Sequence, residues 1–128
     1  MSRLSLSFFT VAALCGLAGM IFGAVMGMTQ DFSLSPSHAH LNLLGWTSLA
    51  LMGGYYALSG RGGRLGWSNF VLSSAGALAM SISLGLYLAG EKAFLSGVLI
   101  GTILAVVGMG AFVSSVLAGW VRGKAVSA

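Results

Sequence analysis

The sequence predicts an all-α membrane protein, a single four-transmembrane-helix bundle over residues 1–128 with N and C termini cytoplasmic. Three observations predict it. Charged residues make up 6% of the chain and hydrophobic ones 57%, with a mean hydropathy of +0.96. A soluble domain carries about a quarter charged residues, and no water-facing surface can be assembled from so few. Four apolar runs, each about 20 residues or longer, match a hydrocarbon core of about 30 Å. Lysine and arginine gather on one side of those runs, as the positive-inside rule requires of cytoplasmic loops.

The runs fall at about 7–28, 37–58, 67–89 and 94–121. The first is longer than the apolar core of a signal peptide and no small-residue cleavage site follows it, so it is expected to stay as a helix. Residues 29–36 break the pattern with Gln30, Asp31, Ser33, Ser35 and Pro36. Residues 59–66 read SGRGGRLG, and residues 90–93 form a tight turn with Glu91 and Lys92. Connections this short make neighbouring helices antiparallel. Arg3, Arg61, Arg64, Arg122 and Lys124 then share one side, and Lys92 stands alone on the other. The net charge of +4 thus reflects topology, and nucleic acid is not an expected partner. The GRGGRLG stretch lacks the G-K-[ST] of a phosphate-binding loop. Arg61 and Arg64 read as topology determinants that meet anionic headgroups.

Small residues prepare close packing. Gly19, Gly23 and Gly27 recur every four residues in the first run, after Gly16, and Gly97 and Gly101 repeat the spacing in the last. The third run carries Ser73, Ser74, Gly76, Ala77, Ala79, Ser81, Ser83 and Gly85. Such positions let helix backbones approach, within one bundle or between copies. The one cysteine, Cys15, lies in an apolar run and reads as a buried packing residue.

The chemistry concentrates in the second run, which opens S-P-S-H-A-H-L-N-L-L-G-W from Ser35 to Trp46. Ser35 is placed to cap the helix and Pro36 to occupy its first position. His38 and His40, the only two histidines, follow near the outer membrane surface. Ionisable groups at membrane depth are costly and mark function. The positive helix start favours neutral, ligating imidazoles. Residues two apart are separated by about 200° around a helix axis, so the pair projects to opposite faces. A single ion is not readily gripped by both; the spacing suits one ligand to each of two separate sites. Asn42 lies one turn below His38, within reach of an imidazole. Trp46 lies deeper and is a candidate to pack on a cofactor. Trp67 and Trp120 fall near helix ends and read as interfacial anchors.

His38-Ala39-His40 followed by Leu44-Gly45-Trp46 resembles the heme-ligating helix of the catalytic subunit of heme-copper oxidases, above all the C-type oxidases and nitric oxide reductases. It is also similar to the H-A-H of NnrS-type heme membrane proteins. The resemblance covers about ten residues plus the four-helix hydropathy. It implies heme b, with His38 matching the high-spin heme ligand and His40 the low-spin one; copper is the lesser expectation. Asn42, Trp46 and Lys92 join the implied cofactor site, Lys92 as the cation on the outer side available to heme propionates. The chain departs from that family in having neither its copper ligands nor the acidic residues of its proton channels, so one copy is not a terminal oxidase. The family subunit is built of three four-helix arcs around a pseudo-threefold axis. This suggests a homo-oligomer, a trimer before a dimer, with each heme between His40 of one copy and His38 of the next. A lone chain would instead draw on a methionine such as Met26, Met80 or Met109. The implied functions are electron transfer with a respiratory-chain partner, or binding of nitric oxide or oxygen, in a bacterial inner membrane with the histidines toward the periplasm. The alternatives are a non-catalytic heme or copper handling factor and a structural accessory subunit of a respiratory complex.

Overall fold

Ser2 starts the first helix: its side chain accepts the backbone N–H of Ser5 at 3.2 Å, supplying one of the acceptors a helix start lacks. Helix α1 runs Arg3–Thr29 and ends at Gln30, whose backbone is left-handed (φ 54°) and whose side-chain amide donates to the Gly27 carbonyl at 2.6 Å. The computed structural model describes residues 1–126, with side chains to residue 121; there the chain is helix and turn only. Arg122 and Lys124, counted above for topology, lie outside the described side chains.

Helix α2 covers residues 35–59 and is irregular. It opens as α-helix over Ser35–His40, widens to π-helix over Leu41–Ser48, and returns to α-helix over Leu49–Ser59. Ser35 does not cap it. The Ser35 N–H already donates to the Phe32 carbonyl at 3.0 Å, so helical winding begins one residue early and Leu34 takes the cap position with no side-chain bond. Pro36 sits in the first turn, where its missing N–H costs nothing. Helix α3 is Gly63–Leu88, and after a 3₁₀ turn at Lys92–Phe94 helix α4 runs Leu95–Val126.

Arg3–Thr29, Gly63–Leu88 and Lys92–Val121 are long and apolar enough to cross a membrane. The second expected span differs: its π-helical interruption leaves no single regular segment of that length. Exposed side chains on the outer faces are apolar, among them Leu14, Leu17 and Ile21 on α1 and Leu99, Ile103 and Val106 on α4. Such faces suit hydrocarbon surroundings and not water.

The small residues are used within the chain. A Cβ built on Gly76 would lie 2.8 Å from Ala105 Cα, and one on Gly101 would lie 2.7 Å from Met80 Cα. Gly97 and Gly108 likewise face Ser83 and Ser73, so α3 and α4 touch backbone to backbone along their length. On α1, Gly16, Gly19 and Gly23 face α2, while Gly27 meets nothing within 4 Å. Cys15 is buried against Gly45 of α2, as a packing residue should be.

The core is at the far end of the bundle from the histidines. Leu4, Phe8 and Ala12 of α1 pack on Leu49, Met52 and Tyr56 of α2. Phe8 stacks on Tyr56 with ring centroids 5.5 Å apart, and the edge of Phe70 meets Phe8 at 5.1 Å.

Candidate functional site

The opening α-helical turn of α2 sends its two histidines different ways, as a two-residue spacing demands. His38 turns toward α1. A Cβ on Gly23 would lie 3.0 Å from its Cε1, so the glycine is what makes room for the imidazole. The ring of Phe22 meets His38 edge-on, centroids 5.7 Å apart and planes at 83°. His38 is half-buried there.

Below it the same face continues. Asn42 and Trp46 follow at intervals of four, and each is seated on an α1 glycine. A Cβ on Gly19 would lie 2.5 Å from Asn42 Oδ1, and one on Gly16 would lie 3.0 Å from Trp46 Cγ. Thus Gly23, Gly19 and Gly16 receive His38, Asn42 and Trp46 as three successive rungs. In a regular α-helix a spacing of four overshoots one turn by about 40° and would carry the third rung off the seam. The π-helical stretch that starts at Leu41 winds wider and keeps these residues on the α1 side. Ser48 Oγ reinforces it by donating to the carbonyl of Leu43, five residues back, at 2.7 Å. Such π-helical turns recur at functional sites.

Asn42 Nδ2 donates to the His38 carbonyl at 2.9 Å and stands 3.3 and 3.4 Å from the two ring nitrogens. The expected contact of Asn42 with an imidazole is therefore present, but it is long. The ring nitrogens of His38 are lightly held.

His40 is on the other side of the helix. Its Nδ1 is 2.7 Å from the Pro36 carbonyl, an acceptor only, so Nδ1 carries the proton and donates. In the neutral ring that leaves Nε2 as a lone pair, with Nδ1–H fixing the ring orientation. This is the arrangement in which an imidazole ligates a metal. The donor chemistry of His40 thus fits an axial heme ligand. Among the described residues no three of His, Cys, Asp and Glu gather as a metal-binding group.

Other expected site residues are more dispersed. Trp46 is 45% exposed, its ring lying across Gly16 beside Leu17 and Met20, so one face is open for packing. Lys92 holds its ammonium 4.3 Å above the Tyr87 ring, a cation–π contact the sequence did not announce. A cavity of about 370 Å³ opens near this end between α1, α2 and α3, lined by Phe22, Ser37, Leu41, Ser81 and Ile82 among others, and neither histidine lines it.

A second polar constellation escaped sequence reasoning. In the core, Ser73 Oγ donates to Asn69 Oδ1 at 2.8 Å, and Asn69 Nδ2 donates to Tyr56 Oη at 3.1 Å. Tyr56 Oη donates to Ser115 Oγ at 3.0 Å, and Ser115 Oγ to the Ala111 carbonyl at 3.1 Å. Tyr55 Oη donates to the Ser115 carbonyl at 3.0 Å. This thread ties α2, α3 and α4 together. The available signal was Asn69, an amide inside an apolar run with Ser73 four residues on.

No protein-family model, curated protein or solved structure matches the chain.

Proposed function

We propose that the chain is a membrane-embedded heme b protein for electron transfer, its four helices crossing a bacterial inner membrane with both ends cytoplasmic. The observation that carries this reading is His40: Nδ1–H is committed to the Pro36 carbonyl, and Nε2 is left as a donor on the side of α2 away from α1. His38 supplies the second axial ligand from the α1 side, where only long contacts to Asn42 hold its nitrogens. Because the two imidazoles point apart, one iron cannot take both from the same chain. A shared heme therefore needs a second copy, and a closed ring in which His40 of one chain meets His38 of the next satisfies both, a trimer being the preferred form. Heme with two protein ligands supplies one-electron chemistry and keeps no open position for a substrate gas. The chain's own residues fix the histidine orientations through Pro36, Phe22 and Gly23. Trp46 offers an apolar face one level below, and Lys92 a cation at the outer end. The charge asymmetry of Arg3, Arg61 and Arg64 against Lys92 supports the orientation.

A second reading follows from the same geometry. Two imidazoles held singly and facing apart also fit a carrier that hands heme or copper to an oxidase during assembly.

The test is the reduced-minus-oxidised visible spectrum of the detergent-purified protein with pyridine hemochrome quantitation. Sharp reduced α and β bands at near one heme per chain, lost in His40→Ala and in His38→Ala, are expected. Substoichiometric heme that exchanges into a scavenger favours the carrier. A protein that stays colourless after heme is added refutes both heme readings.

A further inference from the structure

At the end opposite the histidines, a cavity of about 440 Å³ lies between the end of α2, the loop at residues 60–62 and α4. Tyr56 and Ser115 line it, and both hydroxyls already donate within the polar thread. Arg61 also lines it, half-buried, and among the described residues no hydrogen bond or ion pair involves its guanidinium. The guanidinium is nevertheless placed. Its Nε and Cζ would be 3.4 and 3.6 Å from a Cβ at Gly119, so the bare α4 backbone there gives the planar group a seat. The chain holds two acidic residues, Asp31 and Glu91, and both lie in the turns at the histidine end. Among the described residues no carboxylate stands near Arg61. A cation with five N–H donors, seated in a cavity and remote from both acidic side chains, has its donors available to a counter-ion from outside.

We propose that this cavity binds a phosphate group through Arg61, presented either by an anionic lipid headgroup or as free phosphate. Phosphate matches the bidentate fork of guanidinium, and the backbone N–H groups of the uncapped start of α3 at Gly62 and Gly63, which also line the cavity, add donors of the right sign. Arg64 provides the internal control. It is three residues further on, exposed, and does not line the cavity. A general attraction of cations to an anionic surface would use both arginines alike, whereas a built site uses Arg61.

The experiment is native mass spectrometry of the full chain released from detergent containing phosphatidylglycerol and phosphatidylcholine. One phosphatidylglycerol per chain is expected to be retained, with phosphatidylcholine excluded. Arg61→Gln should lower that affinity about tenfold or more, the range of a lost charge-assisted hydrogen bond, while Arg64→Gln changes it by less than about twofold. Ala118→Leu, which fills the cavity from an exposed position and leaves the charge unaltered, should reduce retention as Arg61→Gln does. Excess inorganic phosphate distinguishes the sources: displacement of the lipid assigns the site to free phosphate, and resistance assigns it to the headgroup. Equal losses in the two arginine variants, or full retention in Ala118→Leu, would overturn the proposal.

Discussion

Replacing Asn69 by leucine, a side chain of similar size, tests whether the buried polar thread holds the helices together. Asn69 has no solvent exposure and makes two side-chain bonds, one given to Tyr56 and one taken from Ser73. The two losses are unequal. Ser73, four residues along the same helix, can turn its hydroxyl to the Asn69 backbone carbonyl, so most of that bond is recovered. Tyr56 continues to donate to Ser115 and loses only a donor to its oxygen. In membrane proteins an interhelical hydrogen bond contributes about 0.6 kcal/mol on average and up to about 1.7 kcal/mol. The Tyr56 bond joins two buried side chains and belongs at the upper end. A destabilisation of about 1–2 kcal/mol is expected for Asn69→Leu. The assay is reversible unfolding in mixed detergent micelles with increasing dodecyl sulfate, followed by far-ultraviolet circular dichroism. A double-mutant cycle with Tyr56→Phe isolates the pair, with an expected coupling of about 0.6–1.5 kcal/mol. A coupling of zero with both single variants neutral would refute the claim that this thread, and not apolar packing alone, joins α2 to α3.

Gly76→Val should separate α3 from α4, since its side chain would meet the Ala105 backbone, which cannot swing aside; about 2–3 kcal/mol of destabilisation is expected in the same unfolding assay. Gly19→Ala should push the Asn42 amide away from His38, because the new methyl would sit 2.5 Å from Oδ1. Ring-nitrogen NMR is then expected to show a changed His38 signal beside an unchanged His40 signal, and movement of both would contradict the separate seating of the two rings. Asp31 accepts the Ser33 backbone N–H at 3.0 Å, and that bond, with the Ser33 hydroxyl, holds its carboxyl below the usual carboxylate range. A depressed carboxyl supports its turn above its unfolded pKa and loses the support as pH falls through the folded one. Protection of the Ser33 amide, measured against its intrinsic exchange rate, should therefore persist through mildly acid pH and fall only below the ordinary carboxylate range.

The helices were legible because each is a long apolar run ended by local signals. The run expected at 7–28 is found within Arg3–Thr29, and the turn residues from Gln30 to Pro36 separate it from the next. The π-helical stretch was not legible, since Leu41–Ser48 reads like any apolar helix; the wider winding leaves no compositional mark. The opposite faces of His38 and His40 follow from spacing alone. The tautomer of His40 does not, because it depends on where the Pro36 carbonyl points. Glycine spacing announced close packing without naming the partner: Gly19 and Gly23 seat side chains of α2, while Gly27, in the same series, meets nothing. Asn69 was hidden for a related reason, its value coming from Tyr56 on another helix.

The order of bonds in the core thread carries a consequence for proton movement between the helices. From Ser73 through Asn69 and Tyr56 to Ser115, every link donates in one direction, and the last hydroxyl ends on a backbone carbonyl. A relay of hydroxyls alone could reverse and pass charge along itself. Here an amide interrupts it, a group that neither takes up nor gives up a proton at any pH a cell reaches. The bundle gains polar adhesion between its helices without an unbroken hydroxyl chain along which a proton could pass.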